Sequence, residues 1–243
     1  MNTTALNASA VAGSAANASG RSAGCQHTCS ANESALASAV SVPVELITNA
    51  IQWVKLTRKV PICLLISLFC LVLHYATAFQ SPAEFHFGRF DIQNPLPLLT
   101  CHWLHWSDSH LFWDLVVFAI VGMLCEFLYP KHFWRTLLSS SILIPLLVMI
   151  SEPQLLCYRG LSGLDSALVA LLVTRLLLED IRRRNSQGIA MFSIFLVLQF
   201  LKIAAEVLVQ GNLFVTNGDF IPAPLAHLTG ASIGCCIGLW RRG

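Results

Sequence analysis

Charge is what this sequence has least of. Only 15 Lys and Arg and 13 Asp and Glu occur among 243 residues, 12% of the chain, where about 25% is usual for a soluble domain. With 55% hydrophobic residues and a mean hydropathy of +0.65, a water-soluble globule is excluded and an integral membrane protein is expected. Nor is one sign in excess. A formal net charge of +2 offers no basic surface to neutralise a phosphate backbone, which excludes nucleic acid as a partner and leaves the lipid bilayer and the proteins in it.

The first forty residues lack nearly all aromatic and large aliphatic side chains, so Met1 to Val40 reads as a disordered cytoplasmic tail unable to bury enough surface to offset its ordering entropy. It also lacks the basic start and compact apolar core of a signal peptide, so a later hydrophobic run is expected to direct insertion. Asn2, Asn7, Asn17 and Asn32 match the glycosylation pattern by the chance expected of an Asn/Ser-rich segment. Cys25 and Cys29 fall on the reducing side. Residues 41–59 read as an interfacial amphipathic helix, because Val44, Leu46, Ile47, Ile51, Trp53, Val54 and Leu56 recur near helical spacing ahead of Arg58 and Lys59.

From residue 60 to 243 the sequence predicts an all-α membrane domain of six transmembrane helices. The runs are Val60 to Phe79, Leu111 to Tyr129, Phe133 to Ile150, Leu161 to Leu178, Ile189 to Val209 and Pro224 to Trp240. Basic residues cluster at alternate ends: Arg58 and Lys59, Lys131 and Arg135, Arg182 to Arg184, then Arg241 and Arg242. All four clusters fall on one side, which predicts both termini in the cytoplasm.

Polar residues that could do chemistry collect at the opposite ends, in the segments Leu98 to Asp114, Cys157 to Asp165 and Ile221 to Gly230. Gly160-Leu161-Ser162-Gly163 opens the fourth run. A helix N-terminus there offers unpaired N–H groups to an oxyanion, and the glycines permit close backbone approach. Ser162 is the candidate nucleophile and His227, at the start of the sixth run, its base. His110 and Asp114, one turn apart, form a supporting pair. Ser162-x-x-Asp165 equally fits a capping box, in which the hydroxyl merely satisfies helix N–H groups. Gly230-x-x-x-Gly234-x-x-x-Gly238 is a ridge on which another helix can pack closely; packed on the fourth run it would bring His227 beside Ser162. Cys101 and Cys157 could bridge or remain thiols.

These segments, in this order on a six-span frame, resemble the rhomboid family of intramembrane serine proteases over roughly Val60 to Trp240. Gly160-Leu161-Ser162-Gly163 is similar to its nucleophile motif, Ala226-His227-Leu228-Thr229-Gly230 to its base motif, and His105-x4-His110-x3-Asp114 to its second-span motif. The resemblance implies Ser162 as nucleophile, His227 as general base and then acid, and His110 with the Ser162 N–H as oxyanion donors. Asp114 stands where the family usually has Asn, and Ser166 where many members have a Tyr that stacks on the base. Tyr158-Arg159-Gly160-Leu161-Ser162-Gly163, and a short outer loop lacking the usual Trp-Arg pair, resemble the rhombosortase branch. That implies substrates with a C-terminal Gly-Gly motif, a spanning helix and a basic tail.

The expectation is an enzyme without cofactor or metal, acting on a membrane-anchored protein from a bacterial inner membrane, its site facing the periplasm. A carboxylate at 114 would repel an oxyanion unless it were protonated or paired with His110, so an inactive rhomboid-like binding protein is the alternative. A transporter is suggested by Lys202, Glu206 and Arg175, but an i,i+4 pair and snorkelling explain these, and no inverted repeat is visible. A metalloenzyme using His102, His105 and His110 lacks ligand spacing.

Overall fold

The computed structural model describes residues 60–78, 96–152, 158–209 and 223–240, all within the compact unit Glu45–Gly243. The tail, the interfacial segment, Cys157 and the basic pairs at 58–59 and 241–242 lie outside the described residues. Among those described there is no strand. The helices are α1 (Ile62–Ala78), α2 (Leu96–Thr100) followed by a 3-10 turn (Cys101–Trp103), α3 (Asp108–Leu128), α4 (Pro130–Ser151), α5 (Ser162–Arg183), α6 (Ser186–Val209) and α7 (Pro224–Leu239).

Each of the six apolar runs overlaps a helix among the described residues, with ends moved by local chemistry. α3 starts at Asp108, ahead of the apolar run, because extended Ser107 accepts the His110 N–H at 3.3 Å and caps the first turn. α4 and α7 each open on a proline, whose missing N–H is no loss at a helix start. α5 continues to Arg183, past the last apolar residue, since charge ends a hydrophobic run but not a helix. It stops where Arg184 turns left-handed at φ 57°.

Three helices, α3, α4 and α6, are long and apolar enough to cross a membrane; α1 and α7 are shorter apolar helices. α5 fails on apolarity because it is the central helix, packed by α3, α4, α6 and α7. Walled in by protein, it needs no lipid-facing coat and carries Thr174, Arg175, Glu179 and Asp180 in its second half. α6 is the reverse: Ile194, Phe195, Val197, Leu198 and Leu201 are all exposed, a surface suited to hydrocarbon and not to water.

Two polar ends result. At one, Ile62 N–H donates to Glu126 Oε1 (3.1 Å), Tyr129 OH donates to Glu179 (2.8 Å) and His132 Nε2–H donates to the Trp240 carbonyl (3.2 Å). Arg175 does not snorkel there; it lies over the Tyr129 ring, 5.1 Å from its centroid, and donates to the Gly238 carbonyl at 3.4 Å. Lys131, Arg135, Arg182 and Arg183 belong to this end. At the other end His74 meets Asp108 at 2.9 Å, and the candidate site lies there.

The ridge on α7 packs against α5. A side chain on Gly230 would strike the Gly163 carbonyl, and one on Gly234 the Ala167 carbonyl. Two glycines thus let two helix backbones touch at the depth of the site.

Candidate active site

Ser162 is the first residue of α5, and the turn before it is pinned by two backbone donors. Gly160 N–H donates to the Cys101 carbonyl at 3.1 Å, and Leu161 N–H donates to Asp114 Oδ2 at 2.9 Å. Gly160 has φ +120°, and a Cβ there would lie 2.8 Å from His110 Cε1. Both the conformation and the space demand glycine.

α5 begins without a side-chain cap. The capping-box reading of Ser162 is therefore not what the fold adopts: the serine sits one residue past the cap position, half-buried. Among the described residues its hydroxyl makes no hydrogen bond. Asp165, buried one turn on, lies near enough to Asp114 for the two carboxyls to interact.

Asp114 is the hub below the turn. Besides the Leu161 N–H, its Oδ2 lies 3.2 Å from His105 Nε2 and 3.3 Å from His110 Nε2. His102 takes no part in that group. Its Nε2–H donates to the Ser141 carbonyl at 3.1 Å, and its ring meets Tyr158 edge-on. Burial pushes His102 down to about 4, against the pull of the Ser141 and Gly160 backbone, so it is neutral near pH 7. Burial likewise holds the Tyr158 phenol well above its ordinary value, reinforced by Cys101, Asp114 and Asp165. Tyr158 is a neutral side chain whose hydroxyl lies against Gly163, 2.8 Å from where a Cβ would stand.

His227 sits in the first turn of α7, four residues after Ala223. The Ala226 carbonyl lies 3.3 Å from where a Gly163 Cβ would stand, so the residues next to the serine and the histidine touch. On its other side the imidazole Nδ1 is 3.1 Å from Glu206 Oε2. Glu206 is 2% exposed and also accepts from Lys202 Nζ at 2.8 Å.

The structure thus gathers Gly160, Leu161, Ser162, Gly163, His110 and Asp114 on one turn and its support, with His227, Gly230 and Gly234 on the helix packed beside it. From the sequence alone Glu206 reads only as the i,i+4 partner of Lys202 and is not joined to the site. The i,i+4 pair with Lys202 does form, but it explained the carboxylate only in part. A second signal was present: Glu206 lies close to the C-terminal end of α6, and His227 close to the N-terminal end of α7, the next helix in the chain. Ser166, in the position where the family often has Tyr, bonds back to the Ser162 carbonyl at 2.9 Å.

The Rhomboid domain profile matches residues 93–242, more than half of the chain and all of the elements just described from α2 to α7. No curated protein matches the chain. A helical bundle with apolar spans, a Gly-flanked serine opening its central helix and a histidine on the helix packed against it agree with that match. The chain is an integral membrane protein and belongs to the rhomboid family, whose members are generally intramembrane serine proteases acting on membrane proteins.

Proposed function

We propose that the chain is an intramembrane endopeptidase in which Ser162 is the nucleophile and His227 its base. The observation that supports this is the contact of the first turns of α5 and α7 at Gly163, Ala226 and Gly230, which starts the hydroxyl and the imidazole from adjoining backbone. In this reading Ser162 Oγ attacks the scissile carbonyl carbon while its proton passes to His227 Nε2. The oxyanion faces the Ser162 N–H and His110, and the imidazolium returns the proton to the leaving amine. Water then releases the acyl group by the same route.

In this reading the bundle crosses the membrane six times with both termini in the cytoplasm, which the basic residues gathered at one end support, and the site opens at the outer face of a bacterial inner membrane. The substrate is a single-span protein with weak helix propensity near that face, Gly-Gly in first place. Glycine lowers the cost of unwinding by up to about 1 kcal/mol per residue against alanine. A specific observation favours a second reading, an inactive binding protein: the Leu161 N–H and the His110 ring both adjoin a carboxylate.

A fluorophosphonate probe decides between them. The wild-type protein should be labelled at Ser162, and Ser162→Ala and His227→Ala should each lose both labelling and proteolysis while remaining folded. Proteolysis retained in Ser162→Ala removes the serine from the mechanism. A folded wild type that neither labels nor cleaves any single-span substrate supports the inactive protein.

A further inference from the structure

We infer that Glu206 is a positioning residue for His227, holding its proton on Nδ1 so that Nε2 faces Ser162 as a base. The inference rests on the Ser162/His227 reading. α6 is mostly lipid-facing; its buried residues are Gly188, Ile203 and Glu206. A carboxylate buried in such a helix is costly unless paired, and this one has two partners, Lys202 on Oε1 and His227 on Oε2.

The chemistry of that contact selects the tautomer. An ionised carboxylate only accepts hydrogen bonds, so at 3.1 Å the imidazole nitrogen facing it must be the donor. With the proton on Nδ1, the lone pair of a neutral imidazole is on Nε2, which makes no hydrogen bond among the described residues. The ring needs such a hold, because Ser166 of α5 turns back onto its own helix and brings no side chain to the imidazole. Lys202 has a distinct part. Its ammonium only donates, so it fixes which oxygen of residue 206 faces outward and leaves the other for His227.

A test follows from that division. In Glu206→Gln, the amide oxygen must stay with the Lys202 donor, which turns the NH2 toward His227. Nδ1 then has to accept, and the proton moves to Nε2, the wrong nitrogen. We expect kcat to fall about 100-fold or more with KM nearly unchanged. 15N spectra of histidine-labelled protein in micelles, assigned with His227→Ala, should show the His227 tautomer switched. Adding Lys202→Met frees the amide to rotate its oxygen to His227, so the double variant should regain the Nδ1–H form and at least tenfold of the lost rate. It also lacks any unpaired buried charge, so it serves if Glu206→Gln alone folds poorly.

An unswitched tautomer with wild-type kcat in folded Glu206→Gln overturns the inference, and so does a folded double variant with no regained rate. Neither result touches the dyad: phosphonate labelling of Ser162 in the wild type tests that separately. Loss of the dyad reading would show as no adduct there, whatever Glu206 variants do.

Discussion

Asp114 carries more of the site's geometry than any other side chain, because one of its oxygens adjoins His105, His110 and the Leu161 N–H. The backbone bond explains how a carboxylate can stand where the family usually has an amide: either side chain presents an oxygen to the turn before Ser162. Asp114→Asn should therefore keep the turn and retain activity to within about tenfold. Asp114→Leu should strand a buried N–H, at about 1–3 kcal/mol, and lower the rate about 10- to 1000-fold. Rates of phosphonate labelling and melting temperatures of the two variants give the comparison. If Asp114→Asn were as inert as Ser162→Ala, the carboxylate itself would be required.

At the scale of elements, the α5–α7 seam decides where the base stands. Gly230 and Gly234 meet backbone carbonyls of α5, which cannot rotate away, whereas a side chain on Gly238 would meet Thr174 side-chain atoms at 2.9 Å. Even alanine should part the helices at the first two positions. The expected order of damage is Gly230→Ala and Gly234→Ala well above Gly238→Ala, with overpacking losses of roughly 1–3 kcal/mol at the first two. Gly230→Ala should cost the most activity, since it lies one turn from His227, and Gly230→Leu should be as inactive as a change in the dyad. A wild-type rate in folded Gly230→Leu would show that the seam does not position the base. Thermal melts in detergent rank the series.

Across the whole molecule, the buried polar groups at the site end tie stability to pH. His102 has a folded-state value of about 4 against an ordinary 6.5. Between those values the unfolded chain binds a proton that the folded chain refuses, so stability rises with pH through the window and falls on acidification. The loss should begin below about pH 6.5 and reach on the order of 3 kcal/mol near pH 4. His102→Gln keeps a donor for the Ser141 carbonyl but does not titrate, and should flatten the melting temperature between pH 7 and pH 4.5. An equally steep fall in that variant would assign the acid sensitivity to other groups.

Much of this architecture was legible from residues alone. Six apolar runs, a serine between glycines at the start of one and a histidine three residues after a proline start in another are local patterns. A span is recognised one window at a time, and a helix start by its own cap and proline chemistry. The polar second half of α5 blurred that helix's end for the same reason, since hydropathy reports the solvent a residue expects, and α5 is surrounded by protein. Partnership across helices was decided only by packing. Glu206 and His227 are 21 residues apart on different helices, and a helix apolar on almost every side, as α6 is, has no face that its sequence can mark. Only the packing of α6 beside α7 gave the carboxylate its imidazole, and only the packing of α3 against the start of α5 gave the Asp114 oxygen the Leu161 N–H.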